Sequence, residues 1–350
     1  MKRLLLLLPL LAACTSAEEP LPDTFDPAFS ALVLHGPFDG EATLTATDSR
    51  GEAYDGLALG LPGSDWDVND DDRDGFWLLG RLGTDVVRRY AWPDLGAPTL
   101  EFSAVSPSNP QVAAECGDAL FVSRYDVAGE VGADVGVWEL DGTPAGRVPL
   151  DGFGEGTDGN PEASSMVEQD GVLYVGLQRL DRDGGWVADP VGTVVAIDCA
   201  TRGVVDSWET RANVSVRKGA DGTIWARGDG GLQRFDGDGF VDVLTDDDLP
   251  APMLGFAATD PLIVHTEDAG GANALWCVDD DVTLLDDGPA RVWSLRAGPD
   301  GTAWASWRDH WLTPEIDPGG LAIYDAASCA EVARADLGSD PFAVAFTGLP

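Results

Sequence analysis

The chain has 350 residues, with 61 Asp and Glu against 21 Lys and Arg, and a formal net charge of −40. A field of that sign repels phosphate backbones and anionic lipid surfaces, which excludes a nucleic-acid partner. With 44% hydrophobic residues the chain still holds enough apolar material for a large core, which excludes an acidic disordered tail.

The first element is an address. Lys2 and Arg3 precede an apolar run, Leu4 to Leu11, broken only by Pro9, and Ala12-Ala13-Cys14 follows. The run falls short of the ~20 residues that span a bilayer, so it reads as a secretory segment. Leu11-Ala12-Ala13-Cys14 resembles the bacterial lipobox. That resemblance implies removal of residues 1–13 and a lipid on Cys14. Thr15 stands where an Asp would retain such a protein at the inner membrane, which implies the outer membrane of a Gram-negative cell. Residues 14–27 are expected to form a lipid-anchored flexible tether, and 28–350 a single domain.

Asp outnumbers Glu 46 to 15 and Arg outnumbers Lys 19 to 2, alongside 43 Gly and 23 Pro. Turn formers in that excess predict many turns and few helices. Residues 213–240 show the unit. Strands at Val214–Lys218, Thr223–Arg227, Leu232–Asp236 and Phe240–Leu244 are joined by Asp- and Gly-rich turns, giving one up-and-down antiparallel sheet. The pattern recurs with units starting near Ser64, Asn109, Asn160, Asn213, Pro252, Ala290 and Asp340. Spacings of about 40–50 residues are those of β-propeller blades. The last unit has room for one strand, Phe342–Thr347, and the chain before Ser64 supplies three, Ala31–His35, Ala42–Asp48 and Ala53–Leu59. Joining them predicts an all-β, seven-bladed propeller of four-stranded antiparallel blades, closed by pairing of N- and C-terminal strands.

Four cysteines besides Cys14 remain: Cys116, Cys199, Cys277 and Cys329. An even number in an exported chain predicts two disulfides, with three pairings open. The segment GADGTIWARGDGGLQRFDGDGF resembles the two-component-regulator propeller repeat, and VVAIDCATRGVVDSW with the Asn-Pro unit starts resembles the YVTN, lactonase-like repeat. These resemblances imply the propeller fold and leave the chemistry open.

Three units carry long loops between their second and third strands, from Arg124 to Gly136, Arg179 to Gly192 and Arg308 to Gly320. Each opens with Arg, soon reaches Asp (Asp126, Asp181, Asp309) and ends near another (Asp134, Asp189, Asp317); Trp186, His310 and Trp311 lie within them. They are expected on one face of the ring as a contact surface, or, more plainly, packed on their own blades by the Arg–Asp pairs. Basic residues recur at second-strand ends: Arg81, Arg124, Arg179, Arg227 and Arg308, with His265 and His35 in the other two blades. Their register varies, so pinning of Asp-rich turns is favoured over a cationic ring. Asp70, Asp72, Asp74 and Gly75 match the opening of a calcium loop without its closing ligand, leaving a weak calcium candidate beside a plain acidic turn. No nucleophile elbow, zinc motif or phosphate loop is present. The expectation is a lipid-anchored binding or scaffold module of the cell envelope, with a protein or small-molecule ligand. The rival is a propeller hydrolase, lactonase or lyase with a divalent metal in its channel.

Overall fold

The computed structural model describes residues 31–37, 40–63, 65–71, 75–126, 134–154, 158–288, 290–308 and 320–347. Seven four-stranded antiparallel sheets form a ring, with one further two-stranded hairpin. The first strands of blades 1 to 7 are Trp66–Asp70, Pro110–Cys116, Ala163–Gln169, Ser215–Lys218, Met253–Ala257, Arg291–Ala297 and Pro341–Phe346. Every unit start read from the turns lies within three residues of one of these. Blade 7 takes its other strands, Ala31–His35, Ala42–Thr47 and Ala53–Leu61, from the other end of the chain. Ala31 pairs with Phe346 and Leu34 with Ala343, so the ring closes by hydrogen bonding between the chain's two ends.

Seven apolar clusters fill the seven gaps between neighbouring blades. A lone sheet cannot cover both of its faces, and here each face is covered by the next blade. Between blades 2 and 3, for instance, Phe121, Val135 and Val137 meet Met166, Leu173 and Val195. Between blades 6 and 7, Trp304 packs edge-on to Phe346 at 5.5 Å. Asp-Gly turns close the hairpins: Gly222 and Gly301 sit at φ of 82° and 79°, where a side chain would be strained.

Alternating strands give the ring two unlike faces. The turns after first and third strands are short, except for residues 92–99 of blade 1. Both disulfides lie on that face: Cys116–Cys199 ties blade 2 to blade 3, and Cys277–Cys329 ties blade 5 to blade 6. The opposite face carries the long loops after second strands. Among the described residues, no helix is long and apolar enough to cross a membrane.

Candidate functional site

On the long-loop face the ladder between first and second strands is interrupted in five blades. Register shifts fall between Pro110 and Ala113, Ala163 and Ser165, Met253 and Gly255, Val292 and Ser294, and, in blade 7, where Leu34 and His35 pair with Ala343 and Pro341. Each inserts one residue at the channel mouth and re-aims the side chains there. The inserted positions include Ser164, Leu254, Trp293 and Phe342, and Trp293 is 41% exposed.

Blades 1 to 4 surround a cavity of about 380 Å³ at this mouth, lined by Arg81, Asn109, Gln111, Tyr125, Gln178 and Ser215 among others. Its polar groups are joined in a belt. Arg81 donates to Asp65 at 2.9 Å and to Gln111 Oε1 at 3.1 Å, and Gln111 Nε2 donates to Asn109 Oδ1 at 2.9 Å. Tyr125 Oη donates to Gln178 Oε1 and Gln178 Nε2 to Asn213 Oδ1, both at 2.8 Å. Asn109 and Asn213 adopt left-handed φ of 46° and 53°, which Asn tolerates better than most residues. Asp65 and Arg81, the charged groups lining the cavity, pair at 2.8 Å, so the mouth is close to neutral inside an acidic shell.

Below the mouth the first strands expose backbone edges that no fifth strand covers. Side chains cap several of these groups. Asn69 Oδ1 accepts the Ala113 N–H at 3.2 Å, Ser165 Oγ accepts the Val216 N–H at 2.8 Å, and Asp70 accepts the Phe346 N–H at 2.6 Å. Arg217 bridges blades 4, 5 and 6, donating from Nη1 to the Phe256 carbonyl at 2.9 Å and to the Leu295 carbonyl. Asp70 also pairs with Arg296 across the channel. Asp67, Asp70 and Arg296 keep about a quarter to a third of their side-chain surface in contact with solvent, as expected of a wetted channel wall. Burial nonetheless raises the Asp67 carboxyl and draws the Arg217 guanidinium down to about 9, still charged at pH 7.

The loops of blades 2 and 3 are stitched together beside the mouth. The second folds into a hairpin, Leu180–Asp181 pairing with Val187–Ala188. From its turn Arg182 reaches across to Asp126 at 2.5 Å and the Tyr125 carbonyl at 2.9 Å, and it also donates to Glu162 at 3.1 Å. Its guanidinium lies 5.3 Å from the Tyr125 ring centre and 5.1 Å from that of Trp186. Glu162 is fully buried and accepts the Leu180 N–H at 2.8 Å; burial lifts its carboxyl to about 7. Burial likewise pushes the Tyr125 hydroxyl up to about 12.

The residues singled out from sequence take several places. Arg124 pairs with Asp134 at 2.6 Å, and Arg179 with Asp189 at 3.2 Å. Asp126 instead meets Arg182 of the next loop, while Asp181 caps the Gly184 N–H at 2.8 Å. Arg227 lies 4.0 Å from Asp229 and 3.4 Å from the Met253 carbonyl. His265 bonds Asn273, and His35 bonds Thr45 and Ser339. Arg308 is buried beneath Trp293 and Phe342, 5.3 Å and 5.1 Å from their ring centres. Asp309, His310 and Trp311 lie outside the described residues, as do Asp72, Asp74 and Cys14. Asp70, the one described carboxylate of the calcium candidate, is held by Arg296, and its neighbour Asp71 by Arg89. Among the described residues no three His, Cys, Asp or Glu side chains converge as a metal site would require.

Sequence reading missed Arg182, Glu162, Arg217 and the mouth amides. Arg182 lay inside a loop already singled out. Arg217 and Arg296 occupy matching positions of the two best-aligned repeats, Val216-Arg217-Lys218-Gly219 and Leu295-Arg296-Ala297-Gly298. That shared position was the signal available.

No family model matches the chain, and no curated protein does. Solved structures share its architecture. Dihydro-heme d1 dehydrogenase NirN, in complex with DHE, aligns over 94% of this chain and 78% of its own, at 16% identity and a TM-score of 0.57. Hydrazine synthase of Kuenenia stuttgartiensis aligns over 84% and 96%, at 12% and 0.54. Apo AztD from Citrobacter koseri aligns over 91% and 98%, at 13% and 0.51. At such identities the likeness shows the fold, a seven-bladed propeller, and carries no activity across.

Proposed function

We propose that the chain is an exported, lipid-anchored propeller of the cell envelope, acting as a ligand- or protein-binding scaffold through its long-loop face. The observation that carries the binding role is the neutral, amide-lined mouth of about 380 Å³, flanked by two loops that Arg182 locks together. Few and well-placed polar groups around a preformed concavity are what ligand sites share. Cross-blade ion pairs hold such a surface ready, so little ordering is lost on binding. The anchor rests on the lipobox resemblance and on charge. A mature chain near −42, after loss of Lys2 and Arg3, gains nothing from anionic lipid, so attachment falls to a covalent chain on Cys14.

The test is fractionation of cells expressing the full chain or Cys14→Ala. The wild type is expected in the membrane fraction, released only by detergent, and Cys14→Ala in the soluble fraction. Continued membrane association of Cys14→Ala contradicts the anchor.

A further inference from the structure

Two arginines of the channel share one place in the repeat and differ in company. Arg217 stands opposite Trp225 on the second strand of blade 4, and Arg296 opposite Trp304 in blade 6. Arg296 is neutralised by Asp70. Arg217 meets no carboxylate within ion-pair distance among the described residues. Its recorded partners are two backbone carbonyls and the Phe256 ring, 5.6 Å from the guanidinium. In a chain with 61 carboxylates, a part-buried guanidinium left without one is a costly arrangement to keep. The contacts through Nη1 fix the plane of the fork. Nε and Nη2 meet no acceptor among the described residues.

The approach to this group is built as well. Ser215, which lines the mouth cavity, precedes Arg217 by two residues on the same strand, so Arg217 lies on the same side about 7 Å deeper. Asp67 and Asp70, the carboxylates that act on Arg217 most directly, are engaged by Arg81 and Arg296. The chain's overall field repels free anions, so a site for one needs a local, shielded cation.

We propose that Arg217 is an anion-recognition point of the channel, binding a carboxylate or another small oxyanion on a ligand that enters through the mouth. The guanidinium fork offers paired donors to such a group, and it is less strongly hydrated than an ammonium. This goes beyond the envelope-binding reading, since the site serves a free ligand whether or not the loops engage a partner.

The full chain is titrated calorimetrically with sodium acetate, succinate and phosphate, in chloride buffer at matched ionic strength. Saturable binding of at least one is expected, and which one binds tells a carboxylate site from a phosphate site. Arg217→Gln is expected to weaken that binding about tenfold or more, Arg217→Lys to retain part of it, and Arg234→Gln, an exposed control, to leave it unchanged. Because Arg217 also caps two carbonyls, a second measurement uses the wild type alone. Crystals soaked in selenate are expected to show anomalous density within hydrogen-bonding distance of Arg217. Absence of saturable binding, binding indifferent to Arg217→Gln, or selenate only outside the channel overturns the proposal. Such a failure leaves the anchor standing, because fractionation reads that separately.

Discussion

The two faces of the ring are built by different means. On the short-turn face, Asp-Gly turns recur at Gly142, Gly171, Gly222 and Gly301, and two disulfides tie neighbouring blades. On the long-loop face the repeat is broken by bulges, by loops of unequal length and by ion pairs that cross from blade to blade. The first face uses covalent staples and local turn chemistry, together with ion pairs from Arg202 to Asp118 and Glu139 of the neighbouring blade. The second uses electrostatics, placed where side chains are aimed at a concavity. The difference teaches that covalent ties and the longest loops are separated here by strand polarity, since each chain reversal falls on one face or the other, while bulges and ion pairs occur on both.

If that separation holds, the two faces respond differently to mutation. The largest expected effect is on the short-turn face. Cys116→Ser with Cys199→Ser opens a loop spanning 83 residues and is expected to cost roughly 4.5 kcal/mol of unfolding free energy on a loop-entropy basis. Denaturant titration checks this, and binding through the mouth should be unchanged in buffer.

Next comes Arg182→Gln on the opposite face. It leaves Glu162 buried beside Asp126 and Asp158 without their shared cation, at an expected cost of about 3 kcal/mol. Unlike the cysteine pair, it should also loosen the loop hairpin, seen as faster amide exchange across residues 180–188.

A smaller effect is in pH dependence. Glu162 titrates near 7 when folded against 4.5 in its unperturbed state, so the folded form holds the extra proton and this group makes stability fall as pH rises from about 4.5 to 7. His265 titrates near 4 when folded against 6.5, because burial disfavours its charge. The unfolded form then holds the extra proton, and this group makes stability fall as pH drops from about 6.5 to 4. The two oppose one another over most of that range. Glu162→Gln is expected to unmask the His265 slope, making the variant lose more stability than wild type between pH 6.5 and pH 5 in paired denaturant titrations.

The smallest effects concern exposed groups. Trp293→Ala is expected to change stability by about 1 kcal/mol or less, since the ring is partly exposed and its recorded ring contacts are with Arg291 and Arg308. Calcium against EDTA is expected to leave the melting temperature unshifted, because Asp70 and Asp71 already have arginine partners.

How much of this could be read from residues follows the same division. Asp221-Gly222 and Asp300-Gly301 announce their turns because the left-handed φ of 82° and 79° is a local demand that Gly meets. Turn spacing then located the blades, and the leftover single strand at 342–347 implied the closure that Ala31 makes with Phe346. The cysteine pairing was not legible, because it depends on which blades are neighbours and on which face each Cys lies. The site was less legible still. A bulge such as that at Trp293 leaves no composition signal, and the partnership of Asp70 with Arg296 spans 226 residues and exists only once the ring is closed. Asp126 was read as a partner for its own loop, yet it pairs with Arg182 of the next, because blades 2 and 3 bring their loops closer to each other than sequence order shows.

The claim that recognition belongs to the long-loop face is tested most directly by photo-cross-linking in intact cells. p-Benzoylphenylalanine is placed at Ser164 in the mouth or at Asp118, an exposed turn residue of the disulfide face. The account predicts a discrete adduct from Ser164, read as a mass shift of the purified chain, and none from Asp118. An adduct from Asp118 alone, or equal yields from both, would contradict it.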